Sequence, residues 1–78
     1  MDVILSKKAY KTLLSLDRTT KVRITNGING IPNGDIKPLK GYSDGTMRLR
    51  IGKYRVVYTK DGNTIIVLDI GSRGDIYK

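Results

Sequence analysis

The sequence predicts an α+β fold in which two N-terminal helices pack on one face of a small antiparallel sheet. Two observations predict this fold. Apolar residues recur at helical spacing in the first third of the chain, and from Thr46 onward the apolar period changes to two. Helices and strands that segregate along a chain in this way are typical of helices covering an antiparallel sheet. With 78 residues, one domain spanning residues 1–78 is expected.

A short strand and a helix are predicted at the start of the chain. The apolar run at residues 3–5 is consistent with a buried strand, and the hydroxyl of Ser6 can cap a helix that runs to about Leu16. Four apolar residues of this helix fall at helical spacing and would form the stripe that packs on the core: Ala9, Tyr10, Leu13 and Leu14.

A second helix is predicted after Asp17, whose carboxylate can cap it. Its apolar positions recur at i, i+4 and i+7, namely Ile24, Ile28 and Ile31. Glycines and β-branched residues weaken its intrinsic propensity, so packing must hold it in place. The Pro-Asn-Gly sequence at residues 32–34 would close it.

Three antiparallel strands are predicted in the C-terminal half. Met47–Ile51 alternates apolar residues with arginines, the next strand spans residues 54–59, and the third spans residues 64–70. Tight turns at residues 52–53 and 61–62 would join them. The continuous apolar run of the third strand indicates a central position in the sheet.

The charge of the chain favours a polyanionic partner. Fifteen Lys and Arg against seven acidic residues give a formal net charge of +8. Such an excess on a small domain attracts phosphates, so nucleic acid or an acidic protein is the expected partner, although solubility alone also explains it.

The missing residue types exclude several familiar active sites. The sequence has no His, Glu, Cys or Trp, so zinc sites built from His or Cys and Ser-His-Asp triads are excluded. The seven Asp show no spacing typical of a two-metal nuclease. No metal and no cofactor are therefore expected, and any catalysis must use Arg, Lys, Tyr, Ser or Asp. No apolar run approaches the roughly 20 residues of a membrane span, so a cytoplasmic location without a membrane partner is expected.

Arginines cluster in the predicted sheet. Arg48 and Arg50 project on the same face because strand side chains alternate, and the tight turn brings Arg55 beside them if its face matches. Arg73 and Tyr77, beyond the third strand, could reach the same rim. Any one of these arginines could simply solvate an exposed face, but several together repel one another unless an anion binds, and guanidinium groups match phosphate oxygens. Tyr54 and Tyr58 could stack on a base, but alternation puts them on the same side as Val56, so core roles are expected.

The same residues resemble a known family. Residues 37–41 read K-P-L-K-G, residues 47–58 read M-R-L-R-I-G-K-Y-R-V-V-Y, and residues 69–77 read D-I-G-S-R-G-D-I-Y. These stretches are similar to the central and closing motifs of the RelE/ParE superfamily of toxins, part of toxin-antitoxin systems. The N-terminal half agrees in pattern only, as a strand followed by two helices.

The resemblance implies a function that depends on individual positions. RelE-like members cut mRNA in the ribosomal A site, whereas ParE-like members inhibit DNA gyrase and lack the catalytic residues. The positions of a RelE-like site all carry compatible side chains here, which favours a ribosome-dependent endoribonuclease with Arg55, Arg73 and Tyr77 as catalytic residues. RNA-binding roles are expected for Arg48, Arg50, Lys40 and Lys53. The implied partners are the ribosome with its mRNA and a cognate antitoxin protein.

One departure from the family concerns the general base. The family's first meander strand carries lysines, one of which is thought to deprotonate the ribose 2′-hydroxyl, whereas this chain has Arg48 and Arg50 there. Arginine holds its proton far above neutral pH and is a poor base. The base could instead be Tyr77, Lys40, Lys53, or a group of the ribosome or RNA. Two alternatives stay open beside the metal-independent nuclease: a gyrase inhibitor, and an RNA-binding module without activity.

Overall fold

The computed structural model describes residues 2–39, 41–42 and 45–72. Its elements follow in the order β1 (Asp2–Leu5), α1 (Lys7–Ser15), α2 (Arg18–Asn29), β2 (Asp35–Pro38), β3 (Met47–Ile51), β4 (Tyr54–Asp61) and β5 (Thr64–Ser72). The strands form one sheet in the order β1-β5-β4-β3-β2, and the two helices cover one of its faces. The predicted α+β fold is therefore confirmed.

Both helices begin at the predicted caps. The Ser6 hydroxyl accepts a hydrogen bond from the Ala9 amide at 3.0 Å, and an Asp17 carboxylate oxygen accepts one from the Thr20 amide at 3.2 Å. The hydrogen bond from the Thr20 hydroxyl holds the pKa of Asp17 below its usual range. Helix α2 ends at Asn29, capped by Gly30, which is earlier than the predicted closing turn.

The apolar stripe predicted on α1 is only half correct. Ala9 is fully buried and Leu13 packs against the core, but Tyr10 and Leu14 are exposed. Successive helical residues are rotated by about 100° from one another, so a short helix with Ala9 and Leu13 facing the sheet turns Tyr10 and Leu14 outward. On α2 the prediction is confirmed, because Ile24 and Ile28 are buried, as is Ile31 just beyond it.

The sheet differs from the prediction at the edge formed by β1. This strand pairs with β5 in parallel, with Asp2 opposite Thr64 and Leu5 opposite Val67, whereas all other neighbouring strands pair antiparallel. The expectation of a wholly antiparallel sheet is therefore wrong here. The expectation of a buried strand is also wrong, since Val3 and Leu5 are half-buried and Ile4 is exposed. The sequence pattern of β1 does not encode its partner, which lies at the far end of the described chain.

Strand β2 is the element that the sequence did not predict. It pairs antiparallel with β3, with Asp35 opposite Arg50 and Lys37 opposite Arg48. Only four residues long, it contains a single half-buried apolar residue, Ile36, too few for a visible period. Its last residue is Pro38, which is compatible with the sheet edge that β2 occupies.

The meander of β3, β4 and β5 follows the prediction, with longer strands. Strand β4 continues to Asp61, so its turn with β5 lies one residue later than expected, at residues 62–63. Strand β5 lies between β1 and β4, which confirms its internal position. Tyr54 and Tyr58 share the helix-covered face with Val56, and burial raises the pKa of the Tyr58 hydroxyl.

Candidate functional site

Three arginines share the face of the sheet that the helices leave open. Arg48 and Arg50 alternate along β3 with Met47, Leu49 and Ile51, which pack into the core beneath the helices. On β4, Arg55 lies directly opposite Arg50. We call the surface around Arg48, Arg50 and Arg55 the arginine face. The register confirms that the face of Arg55 matches that of the two arginines on β3.

The three guanidinium groups differ in exposure. Arg55 is 6% exposed, and its Nη1 donates to the Tyr54 carbonyl oxygen at 3.5 Å. The Arg48 side chain is 11% exposed, whereas Arg50 is open to solvent. Like charges directly opposite on neighbouring strands are destabilising. Burying two guanidinium groups next to a third therefore costs stability unless an anion offsets the charge.

A carboxylate lies among these cations. The Arg48 Nη1 atom is 3.7 Å from the Asp35 Oδ1 atom and donates to the Asp35 carbonyl oxygen at 3.4 Å. The Asp35 side chain is 50% exposed and stands opposite Arg50 in the register of β2 and β3. One carboxylate thus partly neutralises the arginine face and ties Arg48 to the edge strand.

Sequence reasoning missed Asp35 because it did not predict β2. The available signal was the alternation of Asp35, Ile36 and Lys37 before Pro38, which places two charged residues on one face of a short strand. Lys37 stands opposite Arg48 and is exposed. It adds a fourth cation to the same surface.

Of the remaining predicted site residues, only Lys53 is described, and it lies away from the arginine face. The Lys53 Nζ atom lies 5.5 Å from the centre of the Tyr54 ring, on the helix-covered side of the sheet. There Lys53 lines a cleft of about 430 Å³ together with Lys8, Thr12 and Asp69. Lys40, Arg73 and Tyr77 lie outside the described residues.

Two further properties concern ions and membranes. Within residues 2–39, 41–42 and 45–72, no three acidic side chains come close enough together to hold a metal ion between them. In that same part of the chain, neither helix has the length and apolar character needed to cross a bilayer.

Comparison with known families agrees with this architecture. The family model described as the ParE toxin of the type II toxin-antitoxin system parDE matches residues 3–77. The chain belongs to the RelE/ParE superfamily of type II toxins. The match runs through both helices and the whole sheet, so the family assignment does not depend on the C-terminal motifs alone.

Solved structures of similar toxins support the assignment. The toxin is 28% identical to a chain of the RelB-RelE antitoxin-toxin complex from Methanococcus jannaschii, covering 95% of this chain and 94% of that one with a TM-score of 0.77. A chain of the RelE-RelB complex from Pyrococcus horikoshii is 26% identical over 95% and 96% of the two chains, with a TM-score of 0.76. A chain of the RelBE2 complex from Mycobacterium tuberculosis is 26% identical over 92% and 96%, with a TM-score of 0.77. No curated protein sequence matches the toxin.

Proposed function

We propose that this toxin is a ribosome-dependent endoribonuclease that cleaves mRNA in the ribosomal A site and thereby inhibits translation. The observation that carries the proposal is the register of the arginine face, in which Arg50 stands directly opposite Arg55 and next to Arg48 on the same face. Guanidinium groups in this arrangement can bind the oxygens of a phosphodiester in a bidentate way. The likeness to chains of RelB-RelE complexes supports the same choice.

The proposed reaction is an in-line attack of a ribose 2′-oxygen on the adjacent phosphorus, without a metal ion. The bond from phosphorus to the 5′-oxygen breaks, which gives a 2′,3′-cyclic phosphate and a 5′-hydroxyl. Arg55 would stabilise the charge that develops on the phosphate oxygens, while Arg48 and Arg50 position the backbone. Loss of one such donor typically lowers the rate about 100- to 1,000-fold.

The roles of the other predicted residues remain proposals from the family resemblance. Arg73 would stabilise phosphate charge together with Arg55, and Tyr77 would orient the nucleotide. Lys40 would contact the RNA backbone. Lys53 lies against Tyr54 on the helix-covered side, so any RNA contact that it makes would come from the end of the sheet rather than from the arginine face.

A cognate antitoxin is the proposed protein partner. The similar toxins from Methanococcus jannaschii and Pyrococcus horikoshii were crystallised in complexes with RelB. With a net charge of +8, this toxin would attract an acidic antitoxin segment over its basic surfaces. Such a segment would block RNA from the arginine face.

The alternative is a gyrase inhibitor without nuclease activity. The observation that favours it is the family model itself, which is described as the ParE toxin and matches residues 3–77. In that case the arginine face is a binding surface for another partner, and its substitution would weaken inhibition without affecting any cleavage of RNA.

Primer extension on a defined mRNA tests the proposal. The mRNA is incubated with the purified toxin once naked and once on translating ribosomes. We expect cuts only in the ribosome-bound message, within the A-site codon, and at least about 100-fold slower cutting by Arg55→Ala, because a phosphate-binding donor is lost.

The control is Lys60→Ala, which removes the same charge from an exposed residue of β4 that stands opposite Ile65. It should cut like the wild type. Because Arg55 is nearly buried, circular dichroism must show that its variant is folded, and Arg55→Lys provides a second variant that keeps the charge. Intact mRNA together with inhibited supercoiling by gyrase would show that the toxin is a gyrase inhibitor rather than a nuclease.

A further inference from the structure

Within the described residues, the three arginines of the arginine face offer no general base. Arginine cannot give up its proton near neutral pH, so neither Arg48 nor Arg50 can accept the proton of a ribose 2′-hydroxyl. Lys53, one of the candidates from the sequence, lies on the opposite side of the sheet against Tyr54. We propose that the general base is the carboxylate of Asp35, an assignment that rests on the proposed nuclease function.

The position of Asp35 suits this role. Its Oδ1 atom lies 3.7 Å from the Arg48 Nη1 atom, and its backbone carbonyl accepts a hydrogen bond from the same nitrogen, so Arg48 contacts both the side chain and the backbone of Asp35. Within the described chain, the Oδ2 atom has no hydrogen bond or ion pair. Half of the side chain is exposed, so a substrate hydroxyl can reach the carboxylate.

The register brings Asp35 close to the expected phosphate. Asp35 stands opposite Arg50, and Arg50 stands opposite Arg55, so the three residues form one row across β2, β3 and β4. Side chains in directly opposite positions have Cβ atoms about 4.5–5.5 Å apart. A phosphate held by Arg50 and Arg55 therefore has its attached ribose within reach of the row's third member, which is Asp35.

The other described carboxylates lie elsewhere. Asp17 caps α2, and Asp69 forms an ion pair with Lys8 of α1 at 3.1 Å. Asp61 is opposite Thr64 at the far end of β4, about 20 Å from Arg55 at the usual rise of a strand, and Asp2 pairs with the same Thr64. Among the acidic residues that the structure describes, Asp35 alone stands in the row of Arg50 and Arg55.

The proposed step balances without a metal ion or a further reactant. The Asp35 carboxylate takes the proton from the 2′-hydroxyl, and the 2′-oxygen forms a bond to the adjacent phosphorus. The bond from phosphorus to the 5′-oxygen breaks, and the leaving oxygen takes a proton from water. Asp35 then releases its proton to solvent. Arg48 acts here as a positioning residue for the carboxylate and also contributes charge near the phosphate.

The test is the rate of single-turnover cleavage of ribosome-bound mRNA as a function of pH, at saturating toxin. Asp35→Asn keeps the shape of the side chain and an oxygen that can accept from Arg48, but it removes the base. We expect a loss of about 100- to 10,000-fold, the usual contribution of a general base. The wild-type rate should increase with pH in the acid range and then become constant, whereas the variant's rate should keep increasing with hydroxide concentration.

The matched control is Asp61→Asn, which makes the same change in charge on an exposed residue of the same sheet, far from the arginine face. It should keep the wild-type rate and pH profile. Cleavage by Asp35→Asn at a near wild-type rate overturns the assignment, and so does a slower rate with an unchanged pH profile, which would leave Asp35 as a positioning residue only. In both cases the wild type still cuts, so the nuclease function stands; if the wild type does not cut, both proposals fall together.

Discussion

The two faces of the sheet are built from the same strands and serve opposite purposes. On the helix-covered face, β3 and β4 contribute Leu49, Val56 and Tyr58 to a cluster with Ile24 and the other buried residues of the helices. On the open face, the intervening positions of these strands carry the arginine face together with the buried Val57. Strand alternation thus places the arginines proposed to act on RNA opposite the core beneath the helices.

The two faces contribute to the stability of the fold with opposite signs. Burial of apolar side chains beneath the helices stabilises the fold, by roughly 25 cal/mol for each Å² removed from water. On the arginine face, Arg50 and Arg55 oppose each other directly and repel, with one carboxylate, that of Asp35, to offset them. Substitutions on the first face should therefore reduce stability, whereas removal of the exposed Arg50 charge from the second should increase stability and reduce activity.

The largest effect on stability is expected from Leu49→Ala. Leu49 is 1% exposed and belongs to the core cluster on the helix-covered face, and truncation of a buried leucine typically costs about 2–5 kcal/mol. Urea denaturation followed by circular dichroism measures this loss. In a toxin of 78 residues it removes much of the total stability.

Leu68→Ala is the control for that prediction. Leu68 is an exposed leucine of β5, and such surface changes usually stay within about 0.5 kcal/mol. Equal losses for the two leucines would show that the helix-covered face does not dominate the stability of the toxin.

Regular elements with a clear period were predictable, and irregular or short ones were not. The caps at Ser6 and Asp17 and the alternation of β3 fixed three elements, because a cap and a period are local properties of the chain. The parallel pairing of β1 depends on a partner at the other end of the chain, which no local pattern records. The exposure of Tyr10 and Leu14 likewise depends on how narrow the contact between α1 and the sheet is.

The candidate site was predictable to the same extent. Alternation alone placed Arg48 and Arg50 on one face, and the tight turn at Gly52 brought Arg55 to match them. Asp35 was not predicted as a site residue, because β2 has too few residues to show a period. An RNA-binding role was predicted for Lys53 as for the arginines, but a turn residue follows no alternation, and its side chain lies over Tyr54 on the other face.

A smaller effect, opposite in sign to that of Leu49→Ala, is expected from Arg50→Ala. The substitution removes the repulsion with Arg55, while the Asp35 carboxylate keeps its ion pair with Arg48, so the free energy of unfolding should rise by about 0.2–1 kcal/mol at low ionic strength. Added salt should shrink this gain, because exposed charges are screened. The same variant should cut ribosome-bound mRNA more slowly, since it loses a backbone contact.

Lys60→Ala again serves as the control. Lys60 stands opposite Ile65, so this substitution removes the same charge without relieving the repulsion of two directly opposed cations. Its stability should match that of the wild type. If Arg50→Ala and Lys60→Ala shift the unfolding midpoint equally at each salt concentration, net charge rather than the row of opposed arginines explains the effect.

The smallest effect concerns Asp17, which caps the helix that covers β3. Because the Thr20 hydroxyl lowers its pKa in the fold, Asp17 contributes stability above the pKa of the unfolded chain, near 3.8, and loses that contribution as the pH falls through the folded value. The melting temperature should therefore fall less steeply from about pH 5 downward in Asp17→Asn than in the wild type. Asparagine keeps the capping acceptor, so α2 should still form at neutral pH. Cleavage at neutral pH should be unchanged, since the cap belongs to a helix on the side of the sheet away from the arginine face. A variant that melts with the full acid sensitivity of the wild type would assign that sensitivity to other carboxylates.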